Sequence, residues 1–183
     1  MKIIVAITAA SGAIYARQLL ECLISSAQVE QIALIHSTNA EAVAQVEGVT
    51  LPESSKIIRY ANDNLFASVA SGSAEWNAMV IVPSSVGTMS RVATGVSQTL
   101  IERAADVMLK QRRKLVMSVR ETPIHGLHLK NMQTVVELGA VVLPPMLTYY
   151  IKPKSIEEMT HHITGKILDE FGIECSGFQR WCE

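Results

Sequence analysis

Two runs of small, hydroxyl-bearing residues each follow an apolar segment with the character of a buried strand. The first run covers residues 8–12 and the second covers residues 83–88. Where such a run opens a helix, its N–H groups and hydroxyls suit a phosphate or a flavin. An ordinary serine helix cap is the alternative for the first run, and a plain loop is the alternative for the second. Neither run is a GxGxxG or P-loop motif, but two runs facing one crevice are more specific than one.

Some charged side chains near predicted strands and helices could bind a phosphate or transfer a proton. Arg120 and Glu121 directly follow an apolar segment. A guanidinium binds two phosphate oxygens at once, and a carboxylate whose pKa is raised by burial can move protons. A solvated loop pair is the alternative. Arg103 lies among apolar residues on a predicted helix, where an ion pair with Glu102 or Asp106 is the simpler interpretation.

The histidines and cysteines lack the spacing of a metal site. They include His125 with His128, His161 with His162, and the cysteines Cys22, Cys175 and Cys182. A zinc site needs several converging ligands at characteristic spacing. An odd number of cysteines without a CxxC pattern is typical of free thiols in a reducing compartment. These residues therefore predict no metal site.

The elements that must position the polar loops alternate along the chain. Strands are predicted at residues 2–8, 31–36, 78–82, 115–119 and 140–143, and helices at residues 13–25, 39–46, 91–110, 127–137 and 156–171. Residues 51–64 are predicted to be an irregular connection. The alternation predicts an α/β fold with a doubly wound parallel sheet, formed as a single domain over residues 1–183.

The polar loops fall at the expected place in such a sheet. Ligands of doubly wound sheets bind beyond the carboxyl ends of the strands, near the point where the strand order reverses. The loops that begin near residues 8, 36, 83 and 119 are therefore the predicted binding loops. Three of the four consist of small residues, which let a backbone come close to a ligand.

Composition narrows the class of protein. Hydrophobic residues make up 49% of the chain and its net charge is -1. The apolar content fits strands buried on both faces, an oligomer, or a monomer with a large core. The densest basic run, at residues 110–114, is interrupted by Gln111 and lies at a predicted helix end, where cations complement the helix dipole, so nucleic acid is not an expected partner. With no apolar signal segment and no run long enough to cross a bilayer, we expect a cytoplasmic protein without membrane association.

Taken in order, segments along almost the whole chain resemble the flavin prenyltransferase family, the UbiX-like flavoproteins that accompany aromatic-acid decarboxylases. The motifs that carry the resemblance lie at residues 8–15, 70–73, 83–88, 101–110, 120–123, 128–132 and 180–181. No single motif is decisive, but the ordered series is specific.

The resemblance implies a flavodoxin-like Rossmann sheet and a homododecamer. It implies that a dimethylallyl group passes from dimethylallyl phosphate, or the pyrophosphate in some members, to N5 and C6 of reduced FMN. The product, prenylated FMN, would pass to a separate UbiD-like decarboxylase. No metal would take part.

The resemblance also implies roles for individual residues. The residues implied to contact FMN are Ala9, Ala10, Ser11, Ser37, Ser85, Val86, Gly87, Thr88 and Arg120. The residues implied to bind the prenyl phosphate are Lys110, Arg120, Tyr150 and Lys166, and Arg103 lies in the same part of the pattern. Trp181 is implied to lie against the prenyl group. The residues expected to act in catalysis are Glu121, Ser11, Lys110 and Glu47.

Some positions depart from the family pattern. Ala9 stands where the family has Gly, and Ala requires a negative φ there. Lys166 stands where the family has Arg, and Leu65 and Ser84 replace a Trp and a Cys. Lysine keeps the charge but loses the two-pronged phosphate contact.

Two other functions stay open on the sequence. One is an FMN-dependent decarboxylase of the peptidyl-cysteine and phosphopantothenoylcysteine group, which typically has Asn where Gly87 stands and an active-site His on an earlier helix. The other is a carrier subunit that binds FMN without chemistry.

Overall fold

The computed structural model describes residues 1–181. Six parallel strands form one sheet in the order β3-β2-β1-β4-β5-β6. Their bounds are β1 Lys2–Ile7, β2 Gln31–His36, β3 Ile57–Tyr60, β4 Ala78–Ser84, β5 Lys114–Val119 and β6 Val141–Val142. The strand order reverses between β1 and β4, so the doubly wound sheet predicted from the sequence is confirmed.

Six α-helices connect the strands. They are α1 Ala13–Ser25, α2 Ala40–Val46, α3 Val86–Ala93, α4 Leu100–Lys110, α5 Gly126–Glu137 and α6 Ile156–Asp169. A 3-10 turn at Ser68–Ala70 precedes β4. Every strand runs in the same direction, so each connection returns the chain to the edge where the next strand begins. Helices α3 and α4 share one connection, and α6 follows the last strand.

Two predicted elements differ from the structure. The helix expected at residues 91–110 is two helices, because Gly95 adopts a φ of 72° and Thr99 with Glu102 forms a capping box that starts α4. The segment at residues 51–64, expected to be irregular, contains the edge strand β3. Its four residues are at most half-buried, so the apolar run that marks a central strand is missing.

The core lies on both faces of the sheet. All residues of β4 are buried, as are five of the six residues of β1. Helices α3, α4 and α5 cover one face, and α1 and α6 cover the other. Double burial explains why these strands read as continuous apolar runs. Within residues 1–181, no helix is long and apolar enough to span a bilayer.

Candidate functional site

The loops after β1 and β4 are joined by one hydroxyl. Thr8 Oγ1 donates to the Pro83 carbonyl at 2.8 Å and accepts from the Ser85 N–H, also at 2.8 Å. Thr8 is buried, and its own N–H bonds the same carbonyl at 3.2 Å. The two small-residue runs therefore meet at the point where strand order reverses. The sequence marked Thr8 only as the start of a loop; its bridging role depends on which strands are neighbours.

Backbone bonds bring the remaining two loops to the same edge. The Ser37 N–H donates to the Ile7 carbonyl at 2.9 Å, and the Arg120 N–H donates to the Ser84 carbonyl at 3.0 Å. The four loops predicted from the sequence thus lie next to one another along the carboxyl ends of β2, β1, β4 and β5. We call this group of loops the crevice.

The amino terminus of α1 holds an anion that the chain itself supplies. Gly12 and Ala13 donate their N–H groups to the Glu47 carboxylate at 2.9 and 2.7 Å. Partial burial raises the pKa of Glu47, but hydrogen bonds from Ser11, Gly12 and Ala13, with the charge of Arg120, hold that pKa below its ordinary value. Glu47 is therefore an anchored carboxylate beside the crevice.

This arrangement bears on two expectations for the first loop. The N–H donors at the start of α1 are bonded to Glu47, so a phosphate would have to displace that carboxylate, and the phosphate interpretation stays a prediction. The serine cap is wrong, because the capping residue is Gly12. Its φ of 114° and the Tyr15 ring, which lies 2.8 Å from where a Cβ would stand, require glycine.

Flavin contacts through the loop residues Ala9, Ala10 and Ser11 stay a prediction. The condition set for Ala9 is met, because the non-glycine residues with positive φ among residues 1–181 are Arg112 and Lys152. The departure from the family at Ala9 therefore introduces no backbone strain.

The amino terminus of α3 differs from that of α1, because no side chain of the described residues occupies its first N–H groups; we call it open. Ser85 caps the helix, its Oγ accepting from the Thr88 N–H at 3.2 Å. The first-turn N–H groups of Val86 and Gly87 have no acceptor within the helix. A Cβ on Gly87 would meet nothing closer than Arg91 Nη1 at 3.5 Å, so the chain itself does not require glycine there. A ligand approaching the helix closely would require it.

Ser37 supplies an independent sign of a ligand. Its Oγ is buried without a hydrogen-bond partner among the residues that the structure describes. It lines a cavity of about 350 Å³ together with Thr38, Tyr60 and Asn62. A buried hydroxyl without a partner costs roughly 1–3 kcal/mol, which a polar ligand would recover. Ribityl hydroxyls and a phosphate match this donor set, so the residues present fit FMN.

Arg120 and Glu121 stand at the crevice but are exposed. Burial raises the pKa of Tyr15 and the charge of Arg120 opposes the rise, so the guanidinium lies near the start of α1. Glu121 accepts the Thr122 N–H at 2.9 Å. The burial that proton transfer by Glu121 would require is not present in a single chain, so this role stays a prediction.

A second group of predicted residues lies on α6 and the segment that follows it. The Tyr150 hydroxyl is 3.3 Å from His162 Nε2, and the Tyr150 ring meets the Trp181 ring edge-on at 4.9 Å between centroids. Phe178 packs on the His162 ring at 5.1 Å. We call residues 174–181 the C-terminal segment. We use the term α6 surface for the region where this segment contacts Tyr150 and α6. The tail that carries Arg180 and Trp181 is docked, because Arg180 pairs with Asp169 and Trp181 packs on Tyr150.

Lys166 is exposed on the α6 surface and points to no crevice residue. Helix α6 runs beside α1 in the same direction, because Gln18 donates to the Glu157 carbonyl at 3.0 Å and Gln28 donates to the Gly172 carbonyl at 3.2 Å. Lys166 therefore stands about 15 Å along α6 from its start. Its charge lowers the pKa of His162, where burial is the larger cause.

Lys110 and Arg103 also lie apart from the crevice. Lys110 ends α4 just before β5 begins, so about 17 Å of strand separates its edge of the sheet from Arg120. Arg103 bonds Asp106 at 2.8 Å and the Ala70 carbonyl at 3.1 Å, which is the ion pair weighed as the simpler interpretation. A single chain does not bring either cation to the predicted phosphate.

Three of the cysteines and histidines lie close together in the structure. Cys22, Cys175 and His161 converge, with each ligand atom within 4.8 Å of the others. Spacing along the chain could not reveal this, because α1, α6 and the C-terminal segment supply one residue each. Cys182 lies outside the described residues.

Comparisons with known proteins agree with this architecture. The flavoprotein family model matches residues 1–168. The flavin prenyltransferase UbiX of Methanocaldococcus jannaschii is 44% identical, over 99% of this chain and 98% of the relative. The crystal structure of AnUbiX (PadA1) in complex with FMN and dimethylallyl pyrophosphate matches with a TM-score of 0.93 and 37% identity, over 100% of this chain and 97% of that one. A dodecameric FMN-dependent UbiX-like decarboxylase from Escherichia coli O157:H7 matches with a TM-score of 0.93 and 32% identity over both complete chains.

The fold defines a doubly wound, flavodoxin-like α/β protein, a class whose ligands bind beyond the carboxyl ends of the strands. The extent of these matches settles the family: the chain belongs to the flavoproteins and, within them, to the flavin prenyltransferases of the UbiX type.

Proposed function

We propose that this protein transfers the dimethylallyl group of dimethylallyl phosphate to N5 and C6 of reduced FMN, acting as one domain over residues 1–183. The observation that carries the proposal is the open amino terminus of α3 beside the unpartnered Ser37 hydroxyl, in a chain similar over its full length to flavin prenyltransferases. Reduced FMN supplies the nucleophilic atoms when it is bound.

The crevice residues would hold the flavin by complementary chemistry. Val86 and Gly87 offer N–H groups at a helix amino terminus, which favours an anion. Ser37, Ser85 and Thr88 add hydroxyls, and Ala9, Ala10 and Ser11 let the ring lie against backbone. Thr8 keeps the loops in register, so these donors need little rearrangement when the flavin arrives.

Arg120 would stabilise the leaving phosphate. Breaking an allylic C–O bond leaves negative charge on the phosphate and positive charge on carbon. A guanidinium next to the crevice stabilises the first, and an aromatic face such as that of Trp181 stabilises the second. Bringing both reactants together lowers the entropic part of the barrier.

Glu121, or the released phosphate, would take the proton lost when C6 is alkylated. Glu47 is held as an anion by Ser11, Gly12 and Ala13, so it is prepared to accept charge-assisted hydrogen bonds. Glu121 is exposed in one chain and would serve only where the assembly excludes water.

A homododecamer would reconcile the separated cations. Lys110 lies about a strand length, roughly 17 Å, from Arg120 within one chain, whereas neighbouring copies could present Lys110, Tyr150 and Lys166 to the same crevice. Large apolar side chains that a monomer leaves exposed support burial between copies; they include Phe66, Leu127, Leu129, Val136, Leu138 and Met146. We further propose a cytoplasmic location and a UbiD-like decarboxylase as the recipient of the product.

The decisive experiment is anaerobic incubation of the protein with reduced FMN and dimethylallyl phosphate, followed by mass spectrometry of the extracted flavin. We expect a flavin heavier by one C5 unit. Unmodified FMN with both the phosphate and the pyrophosphate would reject prenyl transfer. Tight FMN binding would then favour a carrier, and release of carbon dioxide from a cysteinyl substrate would favour the thiol decarboxylase.

A further inference from the structure

Three potential metal ligands converge on the face of the molecule that carries α1 and α6. Cys22, in the last turn of α1, has its Sγ 3.2 Å from the Sγ of Cys175. The His161 Nε2 lies 3.5 Å from the Cys175 Sγ. All three ligand atoms lie within 4.8 Å of one another and none of the residues is fully buried. The crevice uses none of these residues.

The cluster lies in the wall of a cavity of about 830 Å³. Carboxylates of Glu21, Asp169 and Glu174 line the same cavity, with Arg180 as the cation beside Asp169. The local charge therefore favours a cation. Cys22 is ten residues beyond Gly12, so about 15 Å of helix separates the cluster from the crevice.

We propose that Cys22, His161 and Cys175 bind one divalent metal ion of the zinc class, with a fourth position open to the cavity. Zinc takes thiolate sulfur at about 2.3 Å and imidazole nitrogen at about 2.0–2.1 Å. Around a tetrahedral ion these lengths place sulfur and nitrogen about 3.5 Å apart and two sulfurs about 3.8 Å apart. The separation of His161 and Cys175 already fits, and the two sulfurs would part by about half an ångström.

Binding is a ligand substitution without oxidation. The two thiols lose their protons to solvent, the neutral imidazole contributes its Nε2 lone pair, and the site has no net charge when a divalent ion is bound. His161 must release the Ser176 carbonyl, 2.8 Å from its Nε2, and solvent can replace that contact.

The imidazole distinguishes a metal site from a simple thiol pair. A disulfide between Cys22 and Cys175 would need only the two sulfurs, whereas here a third ligand atom lies within 4.8 Å of both. The bound ion would join α1, α6 and the C-terminal segment, which also carries Trp181. The metal would therefore hold that segment in place and take no part in the transfer reaction.

The test uses the full chain with Cys182→Ser, so that Cys22 and Cys175 are the remaining thiols. Reduced, metal-free protein is titrated anaerobically with Co²⁺, and Zn²⁺ is then added. We expect thiolate-to-cobalt charge-transfer bands with the visible bands of a four-coordinate ion, saturating at one ion per chain and disappearing as Zn²⁺ displaces it.

Single variants locate the ligands. Cys22→Ser, Cys175→Ser and His161→Gln should each weaken binding more than about tenfold, whereas His128→Gln should not change it. The wild-type spectrum decides the question even where a variant fails to fold, because the charge-transfer bands require thiolate ligands. Absence of those bands, equal binding by all variants, or reduced protein that converts to a form two hydrogens lighter without metal would overturn the proposal.

Discussion

The crevice and the α6 surface are held together in different ways. Backbone hydrogen bonds between neighbouring strands position the crevice, including those of Ser37 and Arg120 to the preceding strands. The α6 surface depends on ring contacts and on an exposed ion pair between Arg180 and Asp169. Such pairs contribute about 0–1 kcal/mol, and an aromatic pair adds about 0.5–1.5 kcal/mol. The crevice is thus organised in advance, whereas the α6 surface can be undone by one side chain.

Arg120→Ala should have the largest effect and act through the crevice. Losing a cation aimed at developing phosphate charge typically costs 10²–10³ in rate, so we expect product formation to fall at least about 100-fold. Single-turnover mass spectrometry of the flavin measures this. Arg112→Asn is the matched control, because it removes the same charge at the opposite edge of the sheet, where φ is 53° and Asn is tolerated. Equal turnover by both variants would remove Arg120 from the site.

Gly87→Ala separates ligand binding from folding. The added Cβ meets only Arg91 Nη1 and Ser85 Oγ, at 3.5 and 4.0 Å, so the melting temperature should not fall. We expect FMN affinity to drop about tenfold, because the methyl group lies where the ligand would approach. Gly126→Ala makes the same change at the start of α5, where no atom lies within 4 Å. FMN affinity measured by fluorescence titration should fall in the first variant alone; unchanged affinity would place the flavin elsewhere.

Gly165→Ala tests the α6 surface without touching the crevice. Alanine favours a helix over glycine by about 1 kcal/mol, but its Cβ would overlap the Phe178 ring. We expect the C-terminal segment to undock, visible as faster hydrogen exchange over residues 174–181, with FMN affinity preserved within about twofold. Slow exchange like that of the wild type would show that Phe178 moves aside locally. Loss of FMN binding would mean that the two regions are coupled.

Glu47→Gln should have the smallest effect and depend on pH. A lowered folded-state pKa means that the stabilisation by Glu47 is fully present above about pH 4.3 and is lost as the pH falls through the folded value. The variant should melt a few degrees below the wild type at pH 7, and the gap should close in acid. Glu75→Gln, at an exposed site, is the control. A gap that is the same at pH 3 and pH 7 would contradict the anchored carboxylate.

The sequence predicted more of the crevice than of the α6 surface. Small-residue runs after apolar strands identify binding loops through local pattern alone, as for residues 83–88. The break between α3 and α4 was missed because Val96 and neighbouring residues continue the apolar spacing of a helix. In the structure, Gly95 follows the end of α3 and a capping box starts α4. Glu47 at α1, and the convergence of Cys22 with Cys175, join residues far apart in sequence. Periodicity carries no information on such contacts.

By itself, the sequence determined the alternation of strand and helix and hence the edge of the sheet where the small-residue loops lie. These follow from local hydrophobic patterns and from the right-handed connection of parallel strands. Only the tertiary structure decided that Glu47 occupies the start of α1, that α3 presents the open amino terminus, and that Lys110 stands a strand length from Arg120. Side-chain partners depend on how distant elements pack, and that packing is set by the core as a whole rather than by any segment of it.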